Sequence, residues 1–134
     1  MNDEPSAHVH ALLDRDPASR HMGMKLVRVE EDLAEVRMAV TDFMINGHGT
    51  CHGGFVFALA DSAFAFACNA RGPVALTQHL SVTFLRPVQR GDELVAQARV
   101  VEWSGRTAVC EVMVRRGAEL VADVRGLCRL ESKR

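Results

Sequence analysis

Residues 55–68 of this chain read FVFALADSAFAFAC, and all are apolar except Asp61 and Ser62. A helix that is apolar on every side has to be covered on every side. A carboxylate in its middle is costly to bury without a partner or a purpose. A Gly- and His-rich loop, residues 46–54, leads into this helix, and Gly72-Pro73 ends it near Arg71. The remaining chain has to supply the cover and account for Asp61.

The cover is read from periodicity. Val9, Leu12 and Leu13 sit at i, i+3, i+4 and predict a short amphipathic helix over 6–15. Asp16-Pro17 breaks it, and Pro17 can open a second helical turn through Met22. From Met24 the period shifts to two. Ala34, Val36, Met38 and Val40 share one face, and Glu30-Glu31-Asp32 turns a hairpin over 24–40. After the central helix, apolar alternation marks strands over 74–85, 94–100, 108–114 and 120–130. Their short connections favour antiparallel neighbours in a four-stranded meander. A single α+β domain spanning 1–134 follows: an antiparallel sheet wrapped around one long central helix, with a short N-terminal helix. One sheet covers part of such a helix, so a second subunit is expected over the rest.

A net charge of −1 gives no electrostatic reason to expect nucleic acid or an anionic membrane as partner. The acidic N-terminus lacks the apolar core of a signal peptide. The central apolar run is too short to span a bilayer. The expectation is a cytoplasmic protein. Cys51, Cys68, Cys110 and Cys128 form no CxxC pair and read as reduced structural thiols.

Two positions on the loop and helix carry potential chemistry. The first N–H groups of a helix lack partners within it and lie at the positive end of its dipole. Gly53 at that end lets a ligand approach the backbone, where the N–H can stabilise an oxygen that becomes negative during acyl transfer. The plainer alternative is that His52-Gly53-Gly54 simply makes a tight turn. Asp61 is either a functional carboxylate or a core carboxylate satisfied by Ser62, Asn69 or a backbone group. Gly53 and Asp61 are eight positions apart, which is roughly 12 Å along one helix. A base or nucleophile must lie within roughly 3 Å of its target. Two such helices running antiparallel beside a twofold axis would bring Gly53 of one against Asp61 of the other, so the homodimer is the expected minimal active unit. His48-x-x-Cys51-His52 suggests zinc, but no second cluster completes a tetrahedral site and no metal is expected. His52 is read as a residue that polarises a carbonyl or fixes the loop, and Asn46 as one that orients a water or the carboxylate.

The pattern N-G-H-x-x-x-H-G-G, then F-x-L-A-D-S-A-F-A-x-A-x-N, then F-L-R-P and G-D-x-L, resembles the hotdog-fold acyl-CoA thioesterases, closest to the PaaI-type branch of phenylacetate degradation. The likeness covers nearly the whole chain. It implies hydrolysis of acyl-CoA, with aromatic (phenylacetyl-type) or medium-chain acyl groups, to free CoA and a carboxylic acid without a cofactor. It implies Asp61 as nucleophile or general base, the Gly53 N–H on the thioester carbonyl, and assistance from Asn46 and His52. It also implies a dimer doubled to a homotetramer. Some related thioesterases place a Thr one turn beyond the carboxylate; here that position is Ala65. Gly54 and Ser62 complete the expected substrate contacts, and Arg86, Arg90 and Arg106, at strand ends or turns, are candidates for the CoA phosphates. Two rival functions are a hotdog dehydratase or hydratase, which would carry His and Pro where this chain has CHGG, and a non-catalytic acyl-CoA-binding regulator.

Overall fold

The computed structural model describes residues 4–131. Helix α1 (Glu4–Asp14) is followed by the short α2 (Pro17–His21), whose first position is proline and whose N-cap is Asp16. That is a start signal: proline lacks the N–H that would otherwise be unsatisfied, and the cap carboxylate takes a later one. Strands β1 (Lys25–Glu30) and β2 (Leu33–Ala39) form the expected hairpin. A 3-10 turn (Asp42–Met44) leads through the glycine-rich loop into α3 (Gly53–Asn69). Strands β3 (Ala75–Phe84), β4 (Glu93–Ser104), β5 (Thr107–Arg116) and β6 (Glu119–Leu130) complete the fold. Among the described residues, no helix is long and apolar enough to cross a membrane.

All strand pairs are antiparallel, and the order across the single sheet is β1-β2-β4-β5-β6-β3. Here the four-stranded meander needs correction. Strands β4, β5 and β6 do form a meander, but β3 pairs with β6 at the far edge and β4 pairs with β2. The connection over 85–92 is long enough for this. Eight extended residues reach about 26 Å, whereas the three strand spacings separating β3 from β4 span only about 14 Å. Adjacency follows from a two-residue hairpin; it does not follow from a connection of this length.

The sheet curls around α3, and its inward faces carry the alternation seen in the sequence. Ala34, Val36 and Met38 on β2, Leu94, Ala96 and Ala98 on β4, and Val112 and Val114 on β5 are buried against the helix. Phe64 and Phe66 are almost wholly buried, each contributing about 2–3 kcal/mol by removal of apolar area from water. The C-terminal end of α3 is tied down by Asp32, whose carboxylate accepts from Arg71 Nε and Nη2 (2.9 and 2.7 Å) and from Trp103 Nε1 (3.1 Å). All four cysteines are free and buried.

One stripe of α3 stays uncovered. Phe57, Ala58, Asp61, Ser62, Ala65 and Asn69, at spacings of three and four, are half-buried while their neighbours are buried. At the sheet edge beside it, β3 leaves one side unpaired, and Leu76 (54%) and Phe84 (49%) are about half exposed.

Candidate active site

The loop before α3 is held by its own polar groups. Asn46 Oδ1 accepts from the backbone N–H of His48 (2.9 Å) and Thr50 (3.2 Å) and from Thr50 Oγ1 (3.3 Å). This is the local side-chain-to-backbone turn that asparagine favours. The N–H groups of Cys51 and His52 then donate to Val88 O and Met44 O, both at 2.7 Å, which aims the loop at the start of the helix. His52 is the N-cap, and its Nδ1 accepts from Gly54 N–H at 3.0 Å. An accepting Nδ1 leaves the ring proton of the neutral imidazole on Nε2. Of the two roles read for His52, fixing the loop is the one with a visible contact. The Gly54 N–H is consumed by that contact.

The Gly53 N–H is different. Among the described residues it has no hydrogen-bond acceptor. Gly53 lines a depression of about 350 Å³ bordered also by Cys51, Val56, Phe84, Arg86 and Val121. A Cβ at this position would sit 3.0 Å from Phe84 Cζ, so a side chain here would require the half-exposed ring to shift slightly. The site thus offers one free, dipole-backed N–H beside an aromatic wall.

Asp61 faces a second depression of about 580 Å³, lined by the α1–α2 junction, α3 and the start of β3, with Leu12, Phe66, Val74 and Leu76 among its apolar walls. The core-carboxylate alternative fails on its named partners. Ser62 Oγ bonds Ser19 Oγ (2.7 Å). Asn69 bonds Ala65 O, Ala75 O and Ala75 N. No hydrogen-bond or ion-pair partner of the Asp61 carboxylate occurs among the described residues. Burial pushes its pKa up, and the nearby charge of Asp16 adds to the rise. The two centres therefore lie in separate depressions of one protomer, as their separation along α3 requires.

The three arginines are not gathered in one place. Arg86 borders the Gly53 depression, with Nη1 donating to Leu120 O at 2.5 Å. Arg90, on the same connection, pairs with Asp42 at 2.8 Å. Arg106 lies at the β4–β5 turn, and its Nη2 donates to Leu130 O at 2.7 Å. Among the described residues, no group of three His, Cys, Asp or Glu is arranged to hold a metal ion.

Sequence reasoning missed two contributors. Alternation places Phe84 in a strand but does not show that it packs on Gly53. Asp16 reads as a helix break, yet it stands in the Asp61 depression. Asp16-Pro17-x-Ser19 does carry a capping signal, but nothing local to it points to Asp61.

Comparison with known proteins gives consistent results. Residues 48–122 match the family described as Thioesterase superfamily. Acyl-coenzyme A thioesterase PaaI of Escherichia coli is 38% identical, over 94% of this chain and 91% of the relative. The solved structure of the E. coli PaaI protein from the phenylacetic acid degradation operon superposes with a TM-score of 0.94 at 35% identity, covering 96% of this chain and 94% of that one. A Streptococcus mutans protein solved bound to acetyl-CoA superposes with a TM-score of 0.78 at 28% identity, covering 83% and 90%.

Proposed function

The chain belongs to the thioesterase superfamily and is an acyl-CoA thioesterase, and from that premise we propose that Asp61 and the Gly53 N–H perform the hydrolysis across a dimer interface. The observation that carries this reading is the pair of unsatisfied groups on one helix. Asp61 lacks a partner in one depression and the Gly53 N–H lacks an acceptor in the other. Each is half of a site.

The uncovered stripe of α3 and the open edge of β3 support a twofold partner there. In that dimer the thioester carbonyl oxygen accepts from the partner's Gly53 N–H, which also stabilises the oxyanion formed on attack. Asp61 is a carboxylate with a raised pKa, better suited as a base at working pH than an ordinary one. It takes a proton from the attacking water and returns it to the departing CoA sulfur. The products are CoA and the carboxylic acid, and no cofactor enters any step. Asn46 and His52 keep the loop in place, and Arg86, on the rim of the Gly53 depression, is the arginine best placed for a CoA phosphate.

The acyl group occupies the Asp61 depression. Its volume falls within the roughly 300–1,000 Å³ of small-molecule sites, and its walls suit an aromatic ring or a medium aliphatic chain. A pair of dimers forms a homotetramer, and the enzyme works in the cytoplasm.

The test is thiol release from a panel of aromatic and aliphatic acyl-CoAs. Asp61→Asn lowers release by about 10²–10⁴ while acyl-CoA binding persists. Co-refolding Asp61→Asn chains with chains in which Gly53 is replaced by proline, which lacks the N–H, restores about one working site per mixed dimer. If mixing never restores turnover although both chains fold, the shared site is wrong.

A further inference from the structure

The α1–α2 junction does more than wall the acyl depression. Both oxygens of the Asp16 carboxylate are held by one residue: Oδ1 accepts from Ser19 N–H (3.0 Å) and Oδ2 from Ser19 Oγ–H (2.7 Å). The single hydroxyl proton of Ser19 is thereby used, so in the 2.7 Å contact between Ser19 and Ser62 it is Ser62 that donates. Ser19 is 2% exposed, and Ser62 follows Asp61 directly on α3. A hydrogen-bonded line thus runs from Asp16 through Ser19 to the residue beside Asp61, while the two carboxylates face the same depression.

The arrangement has a feature that simple capping does not require. An N-cap can be Ser, Thr, Asn or Asp with similar effect, yet here the cap is the charged one and it lines the same depression as Asp61. Two carboxylates that share a site resist simultaneous ionisation. The other residues on these walls do not offset this. Arg15 is solvent-exposed on the rim, α3 contributes Asn69 and Ala65, and β3 contributes Thr77 and apolar side chains.

We propose that Asp16 is a positioning residue of the hydrolysis: clamped by Ser19 and joined through Ser62 to the helix bearing Asp61, it holds a fixed negative charge across the acyl depression that keeps Asp61 a strong base. This rests on Asp61 being the base. The raised pKa of Asp61, with the Asp16 charge as its second cause after burial, agrees with it.

The experiment is the pH profile of kcat/KM for acyl-CoA hydrolysis by wild type, Asp16→Asn, Asp16→Ser and Asp61→Asn. Asn and Ser both preserve the cap, so a purely structural Asp16 predicts unchanged profiles. A positioning charge predicts that the acid limb moves to lower pH in both variants. Their Tm should stay within a few degrees of wild type, and the displacement should shrink in 1 M salt, where the screening length falls to about 3 Å. If Asp61→Asn retains hydrolysis, the reading of the site itself fails. If Asp61→Asn is inactive but the acid limb of folded Asp16→Asn and Asp16→Ser coincides with that of wild type, the positioning role alone is refuted.

Discussion

A methyl group added at Gly126 would overlap the backbone carbonyl oxygen of His79 and lie 2.5 Å from Leu80 Cδ2 and 3.1 Å from Phe64 Cε2. Leu80 and Phe64 are side chains and can yield a little, but the His79 carbonyl is backbone of β3. It also sits at the irregularity between Thr77 and His79, where the β3–β6 register shifts. Relieving the overlap needs β3 to move from β6 by about 1 Å. Overpacking of this kind costs about 1–3 kcal/mol, and loosening one ladder hydrogen bond adds about 1 kcal/mol. A loss of about 3 kcal/mol is a large part of the roughly 5–15 kcal/mol that holds a domain folded. At roughly 3 °C per kcal/mol for this chain length, Gly126→Ala should lower Tm by about 10 °C in calorimetry. Because β3 carries the open edge proposed to meet the partner, sedimentation should also show a shift from the wild-type assembly toward monomer, with turnover falling in step. Gly47→Ala is the control: nothing lies within 4 Å of its Cβ, and its Tm should stay within about 1 °C. A Gly126→Ala protein with the wild-type Tm and assembly state would refute the close approach of β3 to β6 and, with it, the placement of the interface edge.

Three further outcomes follow from the site. Asp61 has a folded-state pKa above its ordinary 3.8, so its ionised form destabilises the fold at pH values above the folded pKa, and the penalty fades as pH falls below 3.8. Asp61→Asn should therefore melt higher than wild type at pH 7, with the gap closing toward pH 3; a lower Tm at pH 7 would show that the carboxylate has a partner. The same variant should lose about 10²–10⁴ in kcat, and single turnover of wild type in oxygen-18 water should label the released acid but leave the Asp61 carboxylate unlabelled; label in Asp61 would mean direct attack. His52→Ala removes the acceptor for Gly54 N–H and should cost about 1 kcal/mol, read as a Tm drop of roughly 3 °C, with kcat reduced as the Gly53 N–H loses its aim; an unchanged kcat would separate His52 from the site.

The sequence by itself determined the elements and set Gly53 and Asp61 on one helix. Alternation at Ala34, Val36 and Met38, the all-apolar run around Phe64, and the Gly and Pro punctuation depend on local periods that any fold of this chain has to respect. The separation of Gly53 and Asp61 was legible for the same reason, since helix rise is fixed by backbone geometry. Tertiary structure decided what depends on distant residues meeting. The placement of β3 beside β6 rests on a connection long enough to cross the sheet, whose turn over residues 89–92 bends the chain without dictating its neighbour. The packing of Phe84 on Gly53 joins positions with no shared period. The facing of Asp16 and Asp61 requires α2 to dock on α3 through Ser19 and Ser62. The unpartnered state of Asp61 was the least legible of all, because a side chain's lack of partners depends on every residue packed around it.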